Sequence, residues 1–85
     1  MIYDEIWAVP VYRIEEFFQR EDNMTSKNSV HGTAYFFKNC QITLEKLPAN
    51  EMLKIPRTKV VMQGDDKDTK EIHEKFFLNF LSAGG

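Results

Sequence analysis

The chain has 85 residues, and its 11 Lys and Arg against 13 Asp and Glu give a formal net charge of −2. That balance argues against the concentrated positive surface needed for non-specific DNA binding and against the dense negative charge of a DNA mimic. With 42% hydrophobic and 28% charged residues it reads as a folded chain rather than a disordered one, and no apolar run approaches the roughly 18 residues of a membrane-spanning helix.

Residues 1–85 are expected to form a single small globular domain. So short a chain buries only about 60–65% of the surface that its unfolded form exposes. Seven Phe, three Tyr and one Trp make 13% of it, more rings than a core of this size readily hides, which points some of them toward an interface.

In chain order, "EIWAVPVYRI" (residues 5–14) alternates as a strand, with Ile6, Ala8, Tyr12 and Ile14 on one face and Trp7, Val9 and Val11 on the other. Both faces are apolar, so the strand wants cover on two sides, while Pro10 removes a ladder donor and places it at an edge or a bulge. The period then changes. Ile14, Phe17, Phe18 and Glu21 have the i, i+3, i+4, i+7 spacing of a short helix. "DNMTSKNS" (22–29) is polar and aperiodic, as in an exposed loop.

"VHGTAYFFKNCQITLEKLP" (30–48) reads as a hairpin. Whether its two-residue turn is Lys38-Asn39 or Asn39-Cys40, Tyr35, Phe37, Ile42 and Leu44 share one face, which is core. Asn39 is the residue best suited to the left-handed conformation of such a turn. "PANEMLKIP" (48–56) has room for one helical turn, and "RTKVVMQ" (57–63) is a further strand stopped by "GDDKD".

The last element is a helix. Asp68 and Glu71 have capping-box spacing, and Gly84 lies where the helix would end. With Ile72 at zero and 100° per residue, Phe76 falls at about 40°, Phe80 at about 80°, Phe77 at about 140°, Leu81 at about 180° and Leu78 at about 240°. That arc is about twice the roughly 100° of an ordinary surface helix, wider than one sheet face covers.

The candidate chemistry is sparse. Cys40 sits at the hairpin turn and His31 nine residues away, well over 20 Å at about 3.3 Å per residue, so the hairpin makes no nucleophilic dyad. His31, Cys40 and His73 have no zinc-ligand spacing. The acids of "GDDKDTKE" lack the pattern of a calcium loop and are explained by the helix dipole. His73, at about 100° on the wheel, reads as a partly buried side chain with one hydrogen bond, or as an interface histidine. The Gly-Gly end follows a helix directly, unlike the free extended tail of a ubiquitin-like carrier.

The expected fold is α+β: an antiparallel sheet of three to five strands, with a short first helix and a C-terminal helix packed on one face. The leading functional expectation is a non-catalytic interaction module, a homo-oligomer or a binder of a protein partner, using Phe76, Phe77, Leu78, Phe80 and Leu81. A second is a small-molecule pocket between helix and sheet lined by Trp7, Tyr12, Tyr35 and Phe37, with His31 as polar anchor. A third, less favoured, is a small RNA-binding β-barrel using Lys27, Lys38, Lys46, Lys54, Arg57 and Lys59. No enzyme activity, cofactor, metal, DNA or membrane partner is expected. Residues 1–10 lack the basic-then-apolar order of a signal peptide and a lone cysteine makes no internal disulfide, so a cytoplasmic location is expected.

Overall fold

The computed structural model describes residues 1–30, 32–49, 52 and 54–83, the side chains of 82 and 83 excepted. The elements run β1 (Ile2–Trp7), α1 (Val11–Arg20), β2 (Met24–Ser29), β3 (Gly32–Phe37), β4 (Cys40–Leu47), β5 (Arg57–Gly64) and α2 (Asp66–Ala83). The five strands form one antiparallel sheet in the order β1-β5-β4-β3-β2, so β1 and β2 are its edges. The fold is therefore α+β, at the upper end of the expected strand number.

Strand residues alternate between the two faces of the sheet, and the register aligns that alternation across it. Tyr3, Met62, Ile42, Tyr35 and Ser26 follow one another from β1 to β2. On this face Tyr35, Phe37, Cys40, Ile42, Val60 and Met62 are buried, in one core cluster with Ile14 and Phe18 of α1 and Ile72, Phe76 and Phe80 of α2. Ring contacts join the layers: Trp7 meets Phe76 edge-on at 5.1 Å, and Phe18 meets Tyr35 at 5.2 Å. The other face carries Ile2, Asp4 and Ile6 of β1, Gln63 of β5 and Gln41 of β4, all exposed.

Four sequence expectations are corrected. The first strand stops at Trp7 instead of running to Ile14. Pro10 occupies the N-cap of α1 in an extended conformation (φ −63°, ψ 145°), and its carbonyl accepts from Arg13 N–H at 3.1 Å. Proline tolerates this place because the first-turn N–H groups of a helix have no intrahelical partner. Ile14 and Phe18, four apart, turn inward, whereas Tyr12 points out. The connection is tied down by Thr58 Oγ1, buried, which donates to Val9 O at 2.7 Å.

Residues 24–29 are a strand, not a loop. β2 is exposed almost throughout, so it shows no apolar alternation; its regularity comes from backbone pairing with β3 and from the Thr33 hydroxyl donating to Asn28 Oδ1 at 2.8 Å. At the hairpin, the turn is Lys38-Asn39, but the positive φ (52°) belongs to Lys38 and not to Asn39. Finally, α2 starts three residues earlier than the Asp68 signal implies. Asp65 caps it, its Oδ1 accepting from Lys67 N–H at 3.2 Å and its carbonyl from Thr69 N–H at 2.9 Å.

Asp68 and Asn39 have another task. Asp68 Oδ2 accepts from both the backbone N–H and the side-chain Nδ2 of Asn39, each at 3.2 Å, and Asn39 O accepts from Asp65 N–H at 3.1 Å. Lys38 Nζ reaches Glu71 Oε1 at 3.2 Å beside it. The hairpin turn and the start of α2 are thus one joint, and Gly64 lies within it, where a Cβ would collide with the Asn39 carbonyl. In the 48–56 segment, the described residues 48, 49, 52 and 54–56 are not helical; the rest of the expected helical turn lies outside the described residues, as does Gly84.

Candidate interaction surface

The apolar arc of α2 divides in two. Phe76 and Phe80, expected at an interface, are core residues of the single chain. The physical reason is α1. Phe17 meets Phe76 at 6.0 Å and Phe80 at 5.7 Å, Phe18 stacks on Phe76 at 5.9 Å, and Phe76 and Phe80 touch each other at 4.9 Å. The second helix covers part of the arc that one sheet face could not. What stays outside is Phe77, 39% exposed, Leu78, 58%, and Leu81, 56%.

Phe77 lies on the flank that faces β1; on the helical wheel Leu81 follows it at about 40° and Leu78 at about 100°, toward the outer face. Phe77 leans on Trp7 at 5.8 Å and on His73 at 6.3 Å. His73 stacks flat on Tyr3, ring centroids 3.7 Å apart and planes 5° apart, and its Nε2 lies 2.8 Å from Glu5 Oε1. A carboxylate only accepts, so Nε2 carries the proton in that bond. Trp7 Nε1 donates to the same oxygen at 3.2 Å. His73 is therefore a partly buried, hydrogen-bonded side chain that locks α2 to β1. A shallow groove of about 380 Å³ lined by Tyr3, Lys70, His73, Glu74 and Phe77 runs along this flank.

The opposite flank of α2 is occupied. Glu71 pairs with Lys38, and Lys75 pairs with Glu21 at 3.6 Å while lying 5.8 Å over the Phe37 ring.

The expected ligand pocket is not assembled. Tyr35 and Phe37 are sealed in the core and Trp7 is half-buried against Phe76 and Phe77. Tyr12, which α1 turns outward, instead lines a separate apolar groove of about 270 Å³ with Pro10, Leu47 and Pro56. His31 lies outside the described residues. Burial pushes the Tyr35 phenol pKa up, with help from the Glu15 charge, whose Oε2 accepts from the hydroxyl at 3.4 Å.

Cys40 is buried beside Asp68 and Thr69. Burial raises its pKa, and the Asp68 charge adds to the effect, which disfavours the nucleophilic thiolate. His73 meets Tyr3, Glu5 and Phe77 on the β1 side of α2. Among the described residues no group of three His, Cys, Asp or Glu could hold a metal ion, and no helix is long and apolar enough to cross a membrane. Of the basic residues considered for RNA, Lys38 is paired with Glu71, Lys59 lies 3.9 Å from Asp4, and Arg57 donates to the Pro48 carbonyl at 3.1 Å.

Sequence reasoning left out Ile2 and assigned Ile6 to a strand face without naming it as a contact residue; the two are exposed at 59% and 58% on the open face of edge strand β1. The signal was present in the apolar residues on both faces of that strand. Compared with protein-family models, with curated proteins and with solved structures, the chain matches none.

Proposed function

We propose that this chain is a non-catalytic interaction module that self-associates through the outer flank of α2, with Phe77, Leu78 and Leu81 at the contact. The observation that carries the reading is that these side chains remain outside after both helices and the sheet have filled the core. Large apolar groups left in water cost free energy that a second apolar surface recovers, at about 25 cal/mol per Å² covered.

The test is solution mass. The wild type is expected to sediment as a dimer, and the double variant Phe77→Glu, Leu81→Glu as a monomer with an unchanged circular dichroism spectrum, since neither side chain is buried in the core. A wild type that stays monomeric at about 100 µM, a concentration where even weak association populates a dimer, sinks the reading. So does a folded double variant that keeps the wild-type mass.

A further inference from the structure

We propose that the second copy docks on the free edge of β1: two β1 strands pair antiparallel about a two-fold axis at Asp4, making one continuous sheet from the two five-stranded ones. This rests on the self-association reading above and names the surface that completes it.

The area of the α2 flank is the first reason. Covering what Phe77, Leu78 and Leu81 leave exposed removes roughly 80–100 Å² each from water, on the order of 500–600 Å² for two copies. A stable specific interface buries at least about 1,200 Å². The flank alone supplies about half, so a contiguous surface has to supply the rest, and the element beneath this flank is β1.

Backbone geometry is the second. Gly64 N–H donates to Met1 O and Met1 N donates to Gly64 O, both at 3.1 Å, so Met1 and Gly64 exchange both bonds of an antiparallel pair. Hydrogen-bonded and non-hydrogen-bonded pairs alternate along such a ladder. With the β1–β5 register, Tyr3, Glu5 and Trp7 therefore bond to β5, and the N–H and C=O groups of Ile2, Asp4 and Ile6 point to the free edge. Among the described residues no strand lies beyond them.

Those edge groups are self-complementary. An antiparallel copy centred on Asp4 sets Asp4 against Asp4 and Ile2 against Ile6 in both directions, with two backbone bonds per facing pair, about six in all. The side chains of Ile2 and Ile6, both more than half exposed, then cover each other on the open face. An axis perpendicular to the sheet leaves both α2 helices on the same side of it. Their β1-side flanks, with Phe77 and Leu81, turn toward each other across the axis.

The two edges of the sheet differ in the way this requires. β2, at the far edge, carries Lys27 and, beyond Met24, nothing apolar, the composition that keeps an edge from pairing. β1 has neither Lys nor Pro over Ile2–Trp7. Its one unfavourable feature is the Asp4–Asp4 contact, softened by Lys59 at 3.9 Å from each Asp4.

Residue-resolved amide exchange by NMR, at one concentration where sedimentation gives the dimer and one where it gives the monomer, tests the pairing without a mutation. The Asp4 and Ile6 amides are expected to exchange about ten-fold or more slower in the dimer, while those of Tyr3, Glu5 and Trp7 are protected in both. If Asp4 and Ile6 exchange equally fast in a sample of dimeric mass, edge pairing is overturned and the α2 contact stands; if the mass is monomeric throughout, both fall. Asp4→Asn supplies a second readout with the opposite sign to most interface changes. It removes a like-charge contact and should tighten the dimer about 1.5- to 5-fold at low ionic strength, whereas unchanged or weaker association overturns pairing about Asp4.

Discussion

Replacing Asp68 by Ala should break the joint between the hairpin turn and α2 and lower stability more than a surface carboxylate in a first helical turn would. The side chain is buried, and its Oδ2 takes two bonds from Asn39, one from backbone and one from Nδ2. Loss of an exposed first-turn charge costs about 0.3–1 kcal/mol through the helix dipole. Asn39 itself is exposed, so water re-satisfies its two donors and the loss is the net worth of two hydrogen bonds, about 0.5–1.5 kcal/mol each, so about 1–3 kcal/mol is expected. An 85-residue chain unfolds with about 2.1 cal/mol/K of entropy per residue, so each kcal/mol moves Tm by about 5–6 °C and the variant should melt roughly 5–17 °C lower. Urea and thermal unfolding of Asp68→Ala, Asn39→Ala and the double variant provide the assay. The single changes should be non-additive by about 1 kcal/mol, because they share bonds. A loss under about 0.5 kcal/mol for Asp68→Ala, or strict additivity, refutes the joint and returns Asp68 to the simple role of a first-turn acid.

Two further outcomes follow from the buried titratable groups. The folded pKa of Tyr35 is raised above the ordinary 10.0, by burial first and then by Glu15; the folded state keeps a proton that the unfolded chain gives up. Its contribution to stability is therefore intact below pH 10.0 and lost as pH climbs from there through the raised folded value. Urea midpoints between about pH 9 and pH 11 should fall more steeply for the wild type than for Tyr35→Phe, and parallel curves would show that the burial has no such effect. Cys40, buried and with its pKa raised, should react with an aromatic disulfide reagent only at the rate at which the chain opens. Rapid labelling of the native protein, insensitive to mild urea, would contradict the burial.

The local code carried much of this protein. Tyr35, Phe37, Ile42 and Leu44 were placed on one hairpin face because side chains in paired strands alternate with period two, and the face is the core face. The inward row of α2, Ile72, Phe76 and Phe80, likewise follows from a 3.6-residue period. Where the signal was local but ambiguous, the structure chose. Pro10 fits a strand edge and a helix N-cap equally well, and its carbonyl bond to Arg13 decided for the helix. Asp68 fits a capping box, yet the start of α2 is held by Asp65 and Asp68 turns to Asn39.

Other features had no local signal at all. β2 owes its existence to pairing with β3, and an edge strand exposed on both faces needs no pattern of its own. The candidate pocket dissolved because Tyr12, Tyr35 and Phe37 belong to surfaces set by different elements, one outward on α1 and two in the sheet's core face. The divided arc of α2 is the clearest case. Its width was written in residues 72–81, because helical periodicity depends only on spacing. Which rings it hides was decided by Phe17 and Phe18, more than 50 residues earlier, because burial depends on what the rest of the chain brings against a surface.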